Sequence, residues 1–199
     1  MTDTETISVY TKSAGDYARG FASSKNPDQE PDYVAFVANI PAGGRILDLG
    51  CGPGHWAARF REDGYVAEAT DATQAMADLA LDRFDLTVRV ETFEALKPEP
   101  IYDGVWANFS LLHATRADLP GHLSRLHSAL KPGGALHLGM KLGQSEGRDK
   151  LGRFYAYYDE PELQEMLTTA GFTVTRTRRG NGKGLAGGDE TFLIVTAHG

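Results

Sequence analysis

Three glycines mark the point in this chain most suited to binding a ligand. Gly50, Gly52 and Gly54 follow a short apolar run that contains Asp48, and an amphipathic helical pattern begins at His55. This order predicts a strand, a tight turn and a helix start. Glycine permits positive φ and lets backbone N–H groups approach a ligand that a Cβ would exclude. The turn is therefore predicted to cradle a ligand; the structural alternative is a turn that only shapes the backbone.

The spacing of these glycines separates the possible ligand classes. A dinucleotide fingerprint places its third glycine where this chain has His55, which argues against that class. A phosphate-binding P-loop ends in Gly-Lys-Ser/Thr, and this turn has no such ending. A carboxylate about 20 residues after the first glycine accepts from ribose hydroxyls in the general α/β pattern, and Asp71 stands there, after a second strand pattern. Its alternative role is a contact at the start of the next helix, which Thr73 is placed to cap.

The D-x-G-x-G-x-G order of this turn resembles motif I of the class I S-adenosylmethionine-dependent methyltransferases. The resemblance runs from about Tyr10 to the C-terminus and is strongest over residues 46–140. It implies an α/β fold with three layers, in which helices cover both faces of a Rossmann-like, seven-stranded, mostly parallel sheet. It also implies S-adenosyl-L-methionine as cofactor and methyl transfer by direct displacement to an unidentified, small-molecule acceptor.

The resemblance also assigns roles to individual positions. After the third strand, Thr92 and Phe93 stand where family members contact the adenine, although Thr92 replaces an expected aspartate and Phe93 could instead belong to the core. Residues 107–113 resemble motif IV, which places Asn108 beside the methionine part of the cofactor. The implied cofactor-binding residues are Tyr17, Asp48, Gly50, Cys51, Gly52, Asp71, Ala72, Met76, Thr92, Phe93, Asn108 and Phe109.

His113 is the candidate catalytic residue. A histidine with an ordinary pKa near 6.5 can accept a proton from a substrate oxygen or nitrogen. The alternative is a structural or orienting role. Near the N-terminus, Tyr10, Ala14, Tyr17 and Phe21 recur at helical spacing, which is typical of an apolar helix face. In the family such a helix often covers the cofactor, so Tyr10 or Tyr17 could also reach its methionine end.

Composition narrows the possible partners. The formal charge of −7 and the pI near 5.3 argue against nucleic-acid binding, which relies on clustered cations. The polar N-terminus lacks a secretory signal, and no apolar run is long enough for a membrane helix, so a cytoplasmic location is expected. A single cysteine, Cys51, excludes an internal disulfide framework. The histidines show no metal-ligand spacing, so no metal is implied.

Residues 1–199 are predicted to form one methyltransferase domain, in which N-terminal helices within residues 1–40 cover the cofactor. Residues 141–158 combine glycines, cations and aromatics, which favours a substrate lid. Its cations could hold an anionic substrate group and its tyrosines could exclude water; the alternative is a solvated loop. The cations are Lys141, Arg148, Lys150 and Arg153, and the tyrosines are Tyr155, Tyr157 and Tyr158.

Strand and helix patterns alternate along the chain, which predicts βαβ units and a parallel sheet. Strands are predicted at 45–49, 65–70, 86–90, 104–108, 134–140, 172–177 and 192–196. Helices are predicted at 13–22, 32–39, 56–63, 73–83, 119–130 and 160–170. Two other functions stay open at this point: a cofactor-binding regulatory or assembly protein without transfer activity, and an NAD(P)-dependent oxidoreductase.

Overall fold

A seven-stranded sheet with helices on both faces organises the chain. The computed structural model describes residues 3–21, 23 and 26–199. The helices are α1 (Thr4–Phe21), α2 (Glu30–Val37), α3 (His55–Glu62), α4 (Gln74–Phe84), α5 (Leu119–Ala129) and α6 (Glu160–Thr169). The strands are β1 (Arg45–Leu49), β2 (Val66–Asp71), β3 (Arg89–Val90), β4 (Tyr102–Asn108), β5 (Leu130–Lys141), β6 (Glu146–Arg148), β7 (Phe154–Ala156), β8 (Thr173–Lys183) and β9 (Asp189–His198).

The strand order of the main sheet is β3-β2-β1-β4-β5-β9-β8. The first five of these strands run parallel, and β9 is antiparallel to both β5 and β8. Strands β2 and β3 are added on one side of β1, whereas β4 and β5 are added on its other side, so the strand order reverses between β1 and β4. Ligands of open α/β sheets bind at the carboxyl ends of the strands beside such a switch point.

Alternate residues of the central strands face two different cores. Ile46 faces a cluster beneath α2 and α3 that contains Trp56, Phe60 and Trp106. Its neighbour Leu47 faces the larger cluster formed with α5 and α6. Because both faces of a parallel sheet are covered, its central strands consist of nearly continuous apolar runs. The predicted three-layer α/β fold is confirmed.

The predicted helices are all present, and the main difference concerns α1. The sequence predicted a start near Ser13, but α1 begins at Thr4. Asp3 accounts for the earlier start, because its Oδ2 accepts hydrogen bonds from the backbone N of Thr6 at 2.8 Å and from the Thr6 hydroxyl at 2.6 Å. This contact satisfies a backbone N–H that a helix N-terminus otherwise leaves unpaired. The predicted end at Ala22 lies outside the described residues.

The other differences are local. β5, β8 and β9 extend beyond the predicted 134–140, 172–177 and 192–196. β3 is confined to Arg89–Val90 and is shorter than predicted, because Leu86 and Val88 pack under α4 without pairing. The segment 141–158, predicted as a substrate lid, contains an antiparallel pair, β6 and β7, that the sequence analysis did not predict. Among the described residues, no helix has both the length and the apolar character needed to cross a membrane.

Candidate cofactor site

A cleft of about 850 Å³, a volume that includes space open to solvent, lies at the carboxyl ends of β1, β2 and β4. Helix α1 contributes Thr6, Ile7 and Tyr10 to its wall. Most of the residues predicted to bind the cofactor line this one cleft, together with the catalytic candidate. They are Tyr17, Gly50, Gly52, Asp71, Ala72, Met76, Thr92, Phe93, Asn108, Phe109 and His113.

The glycine turn forms the floor of the cleft. Gly50 has φ +70°, and a Cβ there would overlap the Cβ of Ser110. Only glycine can therefore occupy this position without displacing the loop after β4. The buried Ser110 hydroxyl has no hydrogen-bond partner among the described residues. A polar group of a ligand above Gly50 would give this hydroxyl a hydrogen-bond partner. Buried polar groups normally have such a partner, so the Ser110 hydroxyl is consistent with a ligand site here.

The carboxylate of Asp71, the last residue of β2, is held in place by two backbone hydrogen bonds. One carboxylate oxygen accepts from the backbone N of Gly52 and the other from the backbone N of Thr73, each at 2.9 Å. Each oxygen keeps a further lone pair that can accept from a vicinal hydroxyl. Burial raises the pKa of Asp71, against the effect of these two bonds. Thr73 does occupy the N-cap position of α4, but its side chain makes no capping bond.

Asp48 and Cys51 do not line the cleft, which corrects their predicted position. Asp48 is buried beneath the turn, where its Oδ2 accepts from the backbone N of Ala57 at 3.1 Å. Burial raises its pKa to about 8. Cys51 packs into the small cluster between α3 and α4, and burial raises the pKa of its thiol. Both side chains support the turn from below.

The loop after β3 forms one end of the cleft. Phe93 lines it and also packs against the larger core, so its ring is placed for the predicted core role and faces the cleft as well. The Phe93 ring meets the His122 ring edge to face, with 5.6 Å between centroids. A flat ring with apolar and polar edges could pack against the Phe93 and His122 rings here.

The loop after β4 begins with a strained residue. Phe109 has φ +57°, a conformation that a bulky side chain rarely adopts, and its backbone N donates to the carbonyl of Gly139 at 3.1 Å. Such strain costs on the order of 1 kcal/mol and clusters at functional sites. Here it directs the Phe109 ring toward the cleft and against Phe192, at 5.3 Å between centroids.

His113 lies where α1 covers the cleft. Its Nδ1 donates to the carbonyl of Phe154 at 2.6 Å, so its Nε2 is the acceptor for the Tyr10 hydroxyl at 2.9 Å. Arg153 also donates to the Tyr10 oxygen, at 3.1 Å. Burial lowers the pKa of His113 to about 4. The imidazole is therefore neutral near pH 7 and both of its nitrogens are engaged.

The predicted lid cations do not line the cleft. Arg153 is buried and pairs with Asp149 at 2.6 Å, and Lys141 pairs with Glu190 at 2.7 Å. Arg148 pairs with Asp3 at 2.7 Å. This last pair and the 2.8 Å bond from Phe154 N to Thr6 Oγ1 fasten the first turn of α1 to β6 and β7. The segment therefore acts on the cleft through α1, and no lid residue from 141–158 lines it.

The sequence interpretation missed part of the cleft lining. Asp3 could have indicated the first turn of α1, because aspartate is a preferred residue at a helix N-terminus. No sequence pattern indicated that residues at the start of α5 would line the cleft. The residues missed are Asp3, Thr6, Ile7, Thr73, Glu91, Glu94, Ser110, Ala114, Asp118 and His122.

Several known proteins are similar to this chain in sequence or in fold. A family model described as a methyltransferase domain matches residues 24–177. Trans-aconitate 2-methyltransferase of Methylobacterium nodulans is 31% identical over 155 residues, which cover 70% of this chain. The match spans 55% of the length of that curated relative.

Solved structures give a more complete match. The 1,6-didemethyltoxoflavin-N1-methyltransferase of Burkholderia thailandensis, with 1,6-didemethyltoxoflavin and S-adenosylhomocysteine bound, is 25% identical with a TM-score of 0.77. The alignment covers 98% of this chain and 87% of that one. Magnesium protoporphyrin IX methyltransferase of Synechocystis PCC 6803, with S-adenosylhomocysteine bound, shares the fold at 19% identity and TM-score 0.73, over 98% and 99% of the two chains.

Proposed function

Because this chain belongs to the family of methyltransferase domains, which depend on S-adenosylmethionine, we propose that it transfers a methyl group from that cofactor to a small-molecule acceptor. The observation that carries the proposal is the Asp71 carboxylate, held by two backbone N–H groups beside Gly50, a position with no room for a Cβ. Small-molecule methyltransferases among the relatives support the acceptor class.

Different cleft residues would contact different parts of the cofactor. Asp71 would accept from the ribose hydroxyls, and Phe93 would pack on the adenine. Ser110 and the backbone around Gly52 would meet the polar groups of the methionine part, which Tyr17 would cover, since its ring lies 3.6 Å from where a Cβ of Gly52 would stand. The side chains of Asp48 and Cys51 contribute by supporting this turn.

S-adenosylmethionine, when bound, would supply a methyl group activated by its positively charged sulfur: an acceptor oxygen or nitrogen would bond to the methyl carbon as the carbon–sulfur bond breaks, and S-adenosylhomocysteine would leave. The work left to the protein is to orient the acceptor and exclude water, and these effects can supply several kcal/mol without a strong acid or base. α1 would contribute to the second task, because its residues Ile7 and Tyr10 line the cleft.

His113 then serves as a positioning residue for α1. A neutral imidazole with a pKa of about 4 is a weak base at neutral pH, and its accepting nitrogen is already bonded to Tyr10. This bond and the contact of Nδ1 with Phe154 O connect α1, the loop after β4 and β7. His113 thereby orients the Tyr10 hydroxyl at the cleft wall.

The proposal is tested by incubating the purified protein with S-adenosylmethionine labelled on its methyl group and a panel of small-molecule acceptors. We expect acceptor-dependent formation of S-adenosylhomocysteine and transfer of the label to one acceptor class. The variant Asp71→Ala is expected to lose this reaction through weaker cofactor binding. Cofactor binding without label transfer to any acceptor would favour a regulatory or assembly role.

A further inference from the structure

We propose that His122 recognises the adenine of the cofactor, and that its imidazole accepts a hydrogen bond from the exocyclic amine of this base. The inference rests on the proposed function and adds a specificity-determining residue to it. The juxtaposition that carries it is a histidine, only 8% exposed, that lines the cleft beside Phe93. Its ring nitrogens have no hydrogen-bond partner among the residues that the structure describes.

Helix α5 places His122 at the cleft. Leu119 and Leu123, four positions apart on one face of the helix, are buried in the larger core. Arg125 donates to the carbonyl of Leu96 at 3.1 Å and so joins α5 to the segment that follows β3. His122 lies at the border of the apolar face of α5. The packing of the helix therefore determines where the imidazole stands.

The ring of Phe93 holds the imidazole in a fixed orientation. The two rings meet edge to face, with 5.6 Å between centroids. Phe93 itself packs against the larger core and reaches the glycine turn, where its ring lies 3.6 Å from the place that a Cβ of Gly50 would occupy. A polar group that is already held in place loses little conformational freedom when a ligand binds. His122 is therefore preorganised beside the ring on which the base would pack.

The ribose contact limits where the base can lie. Asp71 would hold the ribose at the end of β2, whereas the methionine part would extend over Gly50, just after β1. β3 pairs with the other side of β2, and the loop after β3 brings Thr92 and Phe93 into the cleft wall. Because the base is bonded directly to the ribose, it would reach this loop, which His122 adjoins.

The chemistry of the imidazole favours the amine of the base. Burial lowers the pKa of His122, although the carboxylates of Glu94 and Asp118 act to raise it. The ring is then neutral near pH 7, and one of its nitrogens is an acceptor. Ionised carboxylates only accept, so neither neighbour can donate to this nitrogen. The exocyclic amine is the one donor that the adenine ring system carries. It would give the buried acceptor of His122 the partner that such groups normally have.

The first test compares two ligands by calorimetric titration into the full-length wild-type protein near neutral pH. One ligand is S-adenosylhomocysteine, and the other is its analogue that carries hydrogen in place of the exocyclic amine. We expect S-adenosylhomocysteine to bind about fivefold more tightly, as for one hydrogen bond between neutral groups. Equal affinities would overturn the inference, because no group of the protein would then bind the amine.

The variant His122→Phe identifies the partner of the amine. It keeps a ring beside Phe93 but removes the accepting nitrogen. We expect S-adenosylhomocysteine to lose about fivefold in affinity and the analogue to lose none, so that the preference between them disappears. A purely structural role of His122 would weaken both ligands equally and preserve the preference, and this result would overturn the inference, as would unchanged affinity for both ligands.

The control is His127→Phe, which makes the same change on the same helix. His127 packs against Phe172, at 5.2 Å between ring centroids, and does not line the cleft. This variant should bind both ligands as the wild type does. A loss of the preference in His127→Phe as well would overturn the assignment to His122. Failure of the wild-type protein to bind S-adenosylhomocysteine would instead overturn the proposed function, so the two failures are distinguishable.

Discussion

The Nε2 of His137, within β5, lies 3.1 Å from the Oδ1 of Asn108, the last residue of the neighbouring strand β4. Because an amide oxygen only accepts, His137 is the donor, and the amide nitrogen of Asn108 is left to donate elsewhere. His137 is held in place by stacking on Trp106, with 3.4 Å between ring centroids. Burial lowers the pKa of His137 to about 3, which keeps it neutral. A buried histidine thus fixes the orientation of a cleft residue.

Replacing His137 with phenylalanine is expected to weaken cofactor binding while preserving the stack on Trp106. Loss of one hydrogen bond worth about 1 kcal/mol predicts a roughly fivefold loss of affinity for S-adenosylhomocysteine. Calorimetry measures this directly. In an Asn108→Ala background the same substitution is expected to have no further effect, since the positioned amide is gone. Additive losses in the double variant would refute the positioning role.

The buried carboxyl of Asp48 is expected to make the free energy of unfolding depend on pH. Its folded-state pKa of about 8 lies above that of an unfolded aspartate, near 3.9, so the folded state binds the proton more tightly. This contribution to stability is complete below about pH 4 and is lost as the pH rises toward about 8. Asp48→Asn keeps an oxygen for the Ala57 N–H but cannot ionise.

Thermal unfolding of Asp48→Asn and wild type between about pH 5 and 9 checks this prediction. The variant is expected to lose less stability than wild type as the pH rises, so that the difference in Tm changes by several degrees in its favour. Asp82→Asn, at an exposed position of α4, provides the control. Parallel pH profiles for Asp48→Asn and wild type would rule out a buried proton on Asp48.

His113 is expected to titrate well below neutral pH. Burial lowers its pKa to about 4, so its imidazole is neutral at pH values above about 5. Nitrogen-15 NMR of labelled histidines, with His113→Gln used for assignment, measures this value. A midpoint near the ordinary value of about 6.5 would restore the general-base interpretation that the sequence suggested.

The ion pair between Arg148 and Asp3 is expected to control access to the cleft. Arg148→Ala removes the contact that fastens the start of α1 to β6, so S-adenosylhomocysteine should dissociate about threefold faster or more. Because the pair is partly exposed, stability should change by less than about 1 kcal/mol. Stopped-flow fluorescence and thermal unfolding separate the two effects. Lys150→Ala, which changes an exposed cation of the same segment, should leave the dissociation rate unchanged.

The sequence predicted those parts of the site that short-range order determines. Gly50 and Asp71 stand at the ends of consecutive parallel strands, and strand and turn patterns locate both. Since β1 and β2 pair in parallel, the two positions meet at one edge of the sheet. The alternating strand and helix patterns predicted the parallel sheet, whereas the three-layer, seven-stranded arrangement was implied by the resemblance to a family.

Contacts between distant segments were not predictable in this way. Tyr10 and His113 are 103 residues apart, and no local pattern indicates that they share a hydrogen bond. The lid cations illustrate the same limit: Arg148 and Lys141 were visible as charges, but their carboxylate partners, Asp3 and Glu190, lie 145 and 49 residues away in the chain. Asp48 was predicted to contact the cofactor because motif I contains it, whereas burial places it beneath the turn.

The central claim is that this cleft binds S-adenosylmethionine through Asp71. The most direct test is calorimetric titration of S-adenosylmethionine and S-adenosylhomocysteine into wild type and Asp71→Ala, with NAD as a control ligand. The account predicts that wild type binds both sulfur compounds at one site and ignores NAD. It also predicts that Asp71→Ala loses about tenfold or more in affinity, as expected for charge-assisted hydrogen bonds. Unchanged affinity in the variant, or binding of NAD in place of S-adenosylmethionine, would contradict it.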